Sequence, residues 1–512
     1  MTEMSYEPLT PTAHLERAAS AHRDRVAVVD GDLRLTYGEL HARCRRVAGG
    51  LAALADGRPV AVLATNSHVM LEAHFAVPWA GVPLVALNIR LAPAELTHIV
   101  RHSDATVLLY EAEFAPVARS IAAELPGLRL VEAGGADDEY ASLAMSATPL
   151  ATRPTDERAL LALNYTSGTT GRPKGVMYHH RGAYLQALSQ VAHAGLDPSS
   201  VFLWTLPMFH CNGWGYPWAV TAAGGRHVCL RKVDPGEVWR LIAAEGVTHL
   251  NAAPTVLTML AHDPAAAPVE SLRVQTGGAP PSPALLEKAA ALGIEITHLY
   301  GLTETFGPSI VCDWRPEWDA LPASEQARLK ARQGVRTYTT DGLRVLDADG
   351  AEVPADATAT GEIAVRGNTV MLGYYKDPEA TAAAAPDGWF RTGDLAVRHP
   401  DGYVELRDRS KDVIISGGEN IASVEVEQAI ASHPAVLEAA VVAVPDEKWG
   451  EVPAAYVTLA PGAEVTAEEI VEHVRTRLAR FKAPRHVVFT DLPKTATGKI
   501  QKFVLRERAR GH

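Results

Sequence analysis

The residues best suited to chemistry lie in Tyr165-Thr-Ser-Gly-Thr-Thr-Gly-Arg-Pro-Lys174-Gly175. Gly168, Gly171 and Gly175 let the backbone bend until N–H groups converge on phosphate oxygens. Thr166, Ser167, Thr169 and Thr170 add hydroxyl donors, and Lys174 adds a point charge suited to phosphate. Such a loop can wrap the triphosphate of a nucleotide. The spacing is not that of Walker A, because three residues separate Gly171 from Gly175 and Lys174 lies between them. A P-loop ATPase is therefore disfavoured. The bland alternative is a surface turn, since Gly, Ser and Thr gather in loops anyway.

Four further segments carry candidate groups. Tyr300-Gly-Leu-Thr-Glu304-Thr305 offers a carboxylate for a magnesium ion and a hydroxyl for the α-phosphate, although a glutamate after a glycine turn is commonly just solvated. Asp394, in Trp389-Phe-Arg-Thr-Gly-Asp394, could accept both ribose hydroxyls or simply cap a turn. Gly277-Gly278-Ala279-Pro280 could lay bare backbone against a flat adenine, or be a plain tight turn. Pro493-Lys-Thr-Ala-Thr-Gly-Lys499 places a lysine on a glycine-hinged loop, and a terminal basic loop is more often solvated than catalytic. Trp204, Phe209, Trp214 and Trp218 crowd one stretch, which suggests an apolar cavity of little length, although aromatic stripes are more often core than pocket. No partner for a second carboxylate is evident there.

Composition narrows the classes. At 512 residues the chain should divide into at least two domains, and 47% hydrophobic with 21% charged residues is ordinary for a globular protein. A formal net charge of -12 argues against a nucleic-acid or anionic-membrane surface, so a nucleotide must be held by a few local cations. Cys44, Cys211, Cys229 and Cys312 are scattered, with no disulfide-scaffold or C-x-x-C spacing. His210, Cys211, His227 and Cys229 do not have the usual spacing of structural zinc. No serine has the Gly-x-Ser-x-Gly surround of a hydrolase. The N-terminus lacks an apolar h-region and no stretch approaches eighteen apolar residues, so a cytoplasmic protein is expected, without membrane insertion.

The elements that must position these groups follow from periodicity. Thr36 and Glu39 form a capping box before Leu40, Cys44, Val47 and Leu51 at helical spacing, and Val60–Leu63 and 107–109 read as buried strands. Leu160-Leu-Ala-Leu163 leads into the lysine loop as strand to loop, and the alternation predicts layered α/β sheets. From about residue 340, Asp349-Gly350 and Asp401-Gly402 predict hairpins in a β-rich subdomain. After the charged run Arg407-Asp-Arg-Ser-Lys411-Asp412 comes an α+β module with strands at 441–444 and 455–458 and a helix capped by Thr466 and Glu469, carrying Ile470, Val474 and Leu478. The expected boundaries are 1–408, a connection at 409–412, and 413–512.

In this order the five motifs resemble the adenylate-forming superfamily of acyl-CoA synthetases, luciferases and peptide-synthetase adenylation domains. Met208-Phe-His210-Cys-Asn-Gly-Trp214, Trp314-Arg-Pro-Glu-Trp318 and Asp446-Glu-Lys-Trp-Gly450 look like its short- and medium-chain fatty-acid CoA ligase branch. The resemblance implies a large N-terminal domain, a small mobile C-terminal domain and a cleft between them. It implies ATP, magnesium and CoA, a carboxylic acid activated as an acyl adenylate, and pyrophosphate release before transfer to CoA. Thr166, Ser167, Gly168, Thr169, Thr170 and Lys174 would cradle the β- and γ-phosphates, with Tyr300 and Thr303 near the nucleotide and Glu304 on magnesium. Gly278, Ala279 and Pro280 would face adenine, Asp394 and Arg409 would clasp ribose, and Lys499 would serve the first step. His210 would flank the acyl pocket, Lys411 would be the hinge, and Gly417, Gly418 and Glu419 would line the thiol channel. A homodimer is open. Two departures stand out: His298 sits where relatives often carry an amide, and Val444 where an arginine is expected. The alternatives are a different acceptor or acid (an amine, a carrier-protein thiol, nitrite) and a non-catalytic nucleotide-binding regulator.

Overall fold

Short β-branched runs alternating with amphipathic spacings build parallel sheets covered by helices. The computed structural model describes residues 6–136, 138–166, 173–409, 412–416, 419–446, 449–495 and 498–510. One sheet orders six strands as Arg129–Ala133, Val107–Glu111, Val60–Leu63, Leu84–Ala86, Leu160–Thr166 and Lys174–His179, with only the last pair antiparallel. A second has nine strands: Val335–Arg336, Gly307–Val311, Ile294–Leu302, Leu272–Thr276, His249–Ala252, Val201–Leu203, Arg226–Val228, Val26–Asp30 and Leu33–Thr36. It is parallel through its middle and antiparallel at both ends.

Helices Tyr37–Ala55 and His68–Trp79 fill the space between the sheets, and a single core joins Val28 and Phe202 of one to Val62 and Leu109 of the other. The Thr36–Glu39 capping box is present, and such a cap is worth about 1 kcal/mol. His68–Trp79 is buried at every position from Val69 to Trp79, the pattern of a helix with no solvent face. Its one buried acid, Glu72, is tolerated because Arg43 pairs with it at 2.6 Å and the Tyr140 hydroxyl donates to it.

A four-stranded antiparallel sheet follows, Gly342–Leu346, Thr360–Arg366, Phe390–Arg398 and Val404–Arg409. Asp401-Gly402 turns a hairpin there, with Gly402 at φ 87°. Asp349-Gly350 behaves differently: a single bridge, Leu346 to Glu352, encloses its turn, and Gly342–Leu346 pairs with Thr360–Arg366 instead. Pro354 has no amide to donate, so the run after the turn cannot continue the ladder.

The last sheet orders Glu419–Ile421, Ile414–Ser416, Gly450–Leu459 and Val436–Asp446, with His486–Phe489 beside Gly450–Leu459. Its two faces are both covered: Val441, Ala455 and Val457 pack against Ile470 and Val474 of the capped helix Ala467–Arg475, while Ala440, Val442 and Ala454 pack with Leu505 of Lys502–Arg510. Leu478 lies past the helix end. The whole is α/β, with layered sheets, a β-rich subdomain and an α+β C-terminal unit. Among the described residues no helix is long and apolar enough to cross a membrane.

Candidate active site

The candidate groups sit where loops leave the ends of strands, the usual ligand edge of an open α/β sheet. Thr166 closes Leu160–Thr166 and pairs with Lys174, which opens the returning strand. Ser167, Gly168, Thr169 and Thr170 lie outside the described residues, as do Lys411, Gly417 and Gly418. Lys174 Nζ stands 4.7 Å over the ring of Tyr374, and the Tyr374 hydroxyl donates to Glu304 Oε1 at 2.9 Å. One side chain thus ties the phosphate-loop lysine to the acid of the next motif. Sequence reasoning passed over Tyr374. It lies 200 residues from Lys174, and nothing in Gly373-Tyr-Tyr375 signals a partner at that distance.

Thr303, Glu304 and Thr305 form one 3-10 turn after Ile294–Leu302. Thr305 Oγ1 accepts from Leu302 N–H at 2.9 Å and donates to the Gly307 carbonyl at 2.7 Å, which fixes the turn, while the Tyr178 hydroxyl donates to the Thr303 carbonyl at 2.5 Å. The hard oxygen donor of Glu304, steadied by a tyrosine beside the phosphate-loop lysine, fits a magnesium ion that binds one or two carboxylates plus phosphates.

Tyr300 donates to Asp394 Oδ2 at 2.6 Å, and Asp394 is buried on Phe390–Arg398 opposite Arg409 in the neighbouring strand. Gly278 has φ 88°, and a β-carbon built on it would meet nothing within 4 Å. With Ala279 exposed and Pro280 half-buried, the turn between Leu272–Thr276 and Pro283–Ala291 presents open backbone.

Lys499 comes from the far end of the chain into this neighbourhood. Thr495 N–H donates to the Lys499 carbonyl at 2.7 Å and Lys499 N–H to Thr495 Oγ1 at 3.1 Å, closing a tight loop. Gly498, at φ 82°, sits against the first turn of Pro254–His262, with Thr255 Oγ1 donating to its carbonyl at 3.4 Å. The charge of Lys499 reaches His210: burial first, and that charge second, hold the imidazole down at about 4. His210 is therefore neutral near pH 7. Burial also pushes the Cys211 thiol up to about 12, so it is no thiolate nucleophile.

His210 opens an irregular segment, His210–Gly215. Cys211, Asn212, Gly213 and Trp214 have φ of 49°, 47°, 57° and 58°, a left-handed turn in which three residues are not glycine. Each such residue costs about 1–2 kcal/mol. Hydrogen bonds offset part of this: Asn164 Nδ2 donates to Asn212 Oδ1 at 2.6 Å and Asn212 N–H to Asn164 Oδ1 at 3.3 Å, while Cys211 Sγ lies 3.4 Å from Thr303 Oγ1. Asn164 is on the strand that feeds the lysine loop, so the turn is pinned to two motifs at once. Sequence reasoning missed Asn164 and Asn212 because the strain that needs them is invisible in composition.

The residues at the two departures are both packed into the interior. His298 Nδ1 donates towards the carbonyls of Ala331 and Arg332 at 3.0 and 2.9 Å, and burial lowers its imidazole to about 4. Val444 pairs with Val452 and packs in the strand face that meets Leu505.

The AMP-binding enzyme family matches residues 15–375, and the AMP-binding enzyme C-terminal domain matches 425–499. The acetate-CoA ligase CCL3 of Humulus lupulus is 44% identical, aligned over 99% of this chain and 95% of its own. The 4-hydroxybutyrate-CoA ligase 2 of Metallosphaera sedula is 43% identical over 99% and 95%. The ATP-bound structure of MatB from Rhodopseudomonas palustris superposes with a TM-score of 0.87 at 29% identity, covering 98% of this chain and 99% of that one. The chain belongs to the AMP-binding enzyme family of adenylate-forming ligases. Within it, this is an AMP-forming acid-thiol ligase: ATP activates a carboxylic acid as its acyl adenylate, pyrophosphate leaves, and the acyl group passes to CoA.

Proposed function

We propose that the acid is a short aliphatic monocarboxylate and that the cleft residues divide the work as their chemistry dictates. Two relatives act, by name, on acetate and 4-hydroxybutyrate, which supports the short chain. The observation that carries the residue assignment is the convergence of distant segments: the Lys499 loop docked through Gly498 on Thr255, Cys211 beside Thr303, and Tyr374 joining Lys174 to Glu304.

A carboxylate approaching an anionic α-phosphate meets like-charge repulsion, so fixed cations must gather where charge builds in the transition state. Lys499 serves there, with the Thr303 hydroxyl donating to the α-phosphate. Lys174, Thr166 and the loop residues Ser167 to Thr170 hold the β- and γ-phosphates. Gly278 to Pro280 lie along adenine, and Asp394 with Arg409 takes the ribose, Tyr300 orienting the carboxylate. Glu304 holds magnesium, which neutralises phosphate charge when bound. His210, neutral and at the base of the left-handed turn, flanks the acyl group. The division falls at 1–408 and 413–512; rotation about Lys411 withdraws Lys499 and brings Gly417, Gly418 and Glu419 to the cleft for the CoA thiol. The cytoplasm is the proposed compartment.

The test is pyrophosphate release with acetate, butyrate, 4-hydroxybutyrate, octanoate and benzoate, each with and without CoA. The expected kcat/KM for the best short acid exceeds those for octanoate and benzoate by roughly tenfold or more, on the scale of a methylene misfit, with acyl-CoA and AMP as products. Preference for octanoate or benzoate refutes the short-chain assignment.

A further inference from the structure

The phosphate-loop motif leaves one strand and returns along another. Tyr165, on Leu160–Thr166, pairs with Gly175, on Lys174–His179, so these two residues flank the motif at its stem. Lys174–His179 is the end strand of its sheet, and an end strand leaves backbone groups unpaired along its outer side. The segment from Leu372 to Tyr375 takes them: Met177 N–H donates to the Gly373 carbonyl at 3.0 Å, Leu372 N–H to the Met177 carbonyl at 2.9 Å and Tyr375 N–H to the Gly175 carbonyl at 2.7 Å.

Helix Pro93–His102 holds both flanks of this stem from outside. The helix closes with Asp104 in the left-handed conformation, at φ 58°, where glycine is the usual occupant; Asp104 N–H donates to the Arg101 carbonyl and Ala105 N–H to the Val100 carbonyl, each at 3.3 Å. The corner so made carries two side chains to the stem. His102 Nδ1 lies 2.8 Å from the Tyr165 hydroxyl, and the Tyr165 ring covers Gly175, where a β-carbon would stand 3.1 Å from Cζ. Asp104 Oδ2 accepts from the Tyr375 hydroxyl at 3.0 Å and pairs with Lys376 Nζ at 2.8 Å, and the same ammonium donates to the His102 carbonyl at 2.9 Å. The imidazole stands edge-on to both tyrosine rings, 5.7 and 5.9 Å between centroids. Burial first, then the charges of Lys376 and His98, hold His102 below the usual imidazole value. The neutral ring that these effects favour has a nitrogen lone pair to accept from the Tyr165 hydroxyl.

We propose that His102 is a positioning residue for the phosphate loop, acting through Tyr165. This rests on the reading of Thr166 to Lys174 as the holder of the β- and γ-phosphates. One helix corner fixes the stem twice: His102 on Tyr165, and Asp104 with Lys376 on Tyr375, whose amide holds Gly175. Tyr374, next in the same segment, meets Lys174 and Glu304. Loosening the His102 end lets the stem shift against Glu304, and small misplacements of positioned groups are costly. The brace is assigned no contact with the acid, the adenylate or the thiol, so its effect falls on the step that handles the β- and γ-phosphates.

The experiment compares His102→Ala, His102→Asn, Tyr165→Phe and the double variant of His102→Ala with Tyr165→Phe against the unaltered protein, at slightly alkaline pH. The measurements are the KM for ATP, the KM for pyrophosphate in ATP formation from acyl adenylate, thioester formation from preformed acyl adenylate, and the thermal midpoint. Loss of one neutral hydrogen bond raises both KM values by about fivefold in His102→Ala and in Tyr165→Phe. Tyr165→Phe keeps the ring over Gly175 and so isolates the hydroxyl. His102→Asn retains an acceptor near the place of Nδ1 and stays within about twofold of the unaltered protein. The double variant is no worse than either single one, because both remove the same bond. Thioester formation keeps its rate. Unchanged KM values in folded His102→Ala and Tyr165→Phe, additive losses in the double variant, no rescue by His102→Asn, or an equal fall in thioester formation overturns the proposal. Lys174→Ala tests the underlying reading in the same assays. If it leaves both KM values unmoved, the phosphate-holding assignment fails and the proposal with it, whereas an effect of Lys174→Ala without one of His102→Ala overturns the proposal alone.

Discussion

Lys499 and His210 show how proximity sets the state of a residue. The lysine charge adds to burial in keeping the imidazole neutral, so His210 adds no second positive charge beside it. Lys499→Ala should therefore lower adenylation by roughly 10² to 10³, the cost of losing one transition-state donor. Thioester formation from preformed acyl adenylate should survive. Separate single-turnover assays of the two steps check this, and equal losses in both would remove the lysine from its assigned step. Tyr374 makes a second residue-scale case. Tyr374→Phe keeps the face over which Lys174 sits but removes the donor to Glu304. The magnesium concentration for half-maximal rate should rise several-fold, with little change in melting temperature; an unaltered magnesium dependence would separate Glu304 from the metal.

Among the elements, the loop that carries Lys499 depends on one glycine. Gly498 has φ 82°, and a β-carbon there would stand 2.5 Å from Thr255 Oγ1, so Gly498→Ala adds left-handed strain and a clash at the docking point. Adenylation should fall by about tenfold or more, a displacement effect on a positioned group, while the thioester step changes little. If both steps fall alike, the loop contact with Pro254–His262 is not specific to the first. Elements were legible where local chemistry decides them: the capping boxes at Thr36 and Thr466 and the hairpin at Asp401-Gly402 formed as periodicity and turn residues required. The Asp349-Gly350 hairpin was not, because strand pairing there is settled by Thr360–Arg366, which lies beyond the turn. The left-handed turn at 211–214 was not legible either, since its stability comes from Asn164, 48 residues away.

Over the whole molecule, neutral histidines fill the interior. Burial lowers His14, His74, His180, His210 and His298 to about 4 and His227 to about 3, below the usual imidazole value of 6.5. With folded values depressed, the unfolded chain takes up protons first as pH falls from 6.5. The stability they confer is complete above that pH and is lost progressively towards pH 4. Each can contribute a slope of up to about 1.4 kcal/mol per pH unit in that window. Urea midpoints should hold between pH 8 and 7 and then decline steeply by pH 5. A flat profile across pH 7 to 5 would show that these rings are not buried neutral in solution.

The sequence by itself determined the family and the α/β class and supplied the candidate groups, because glycine, hydroxyl and lysine at those spacings specify what a loop can bind wherever the loop ends up. It also specified helices and strands whose caps and periodicities are local. Only the tertiary structure decided which groups meet. Tyr374 between Lys174 and Glu304, Asn164 beneath the left-handed turn, and Trp214 laid across Gly277 and Gly307 are each contacts between segments far apart in the chain. Such contacts follow from how two sheets and their connecting loops pack, a property no local spacing encodes. The same reason gave His298 and Val444 their partners in the packed interior. It also put the indoles of Trp204, Trp214 and Trp218 into one buried core, since burial is a property of the packed interior and not of the residue type.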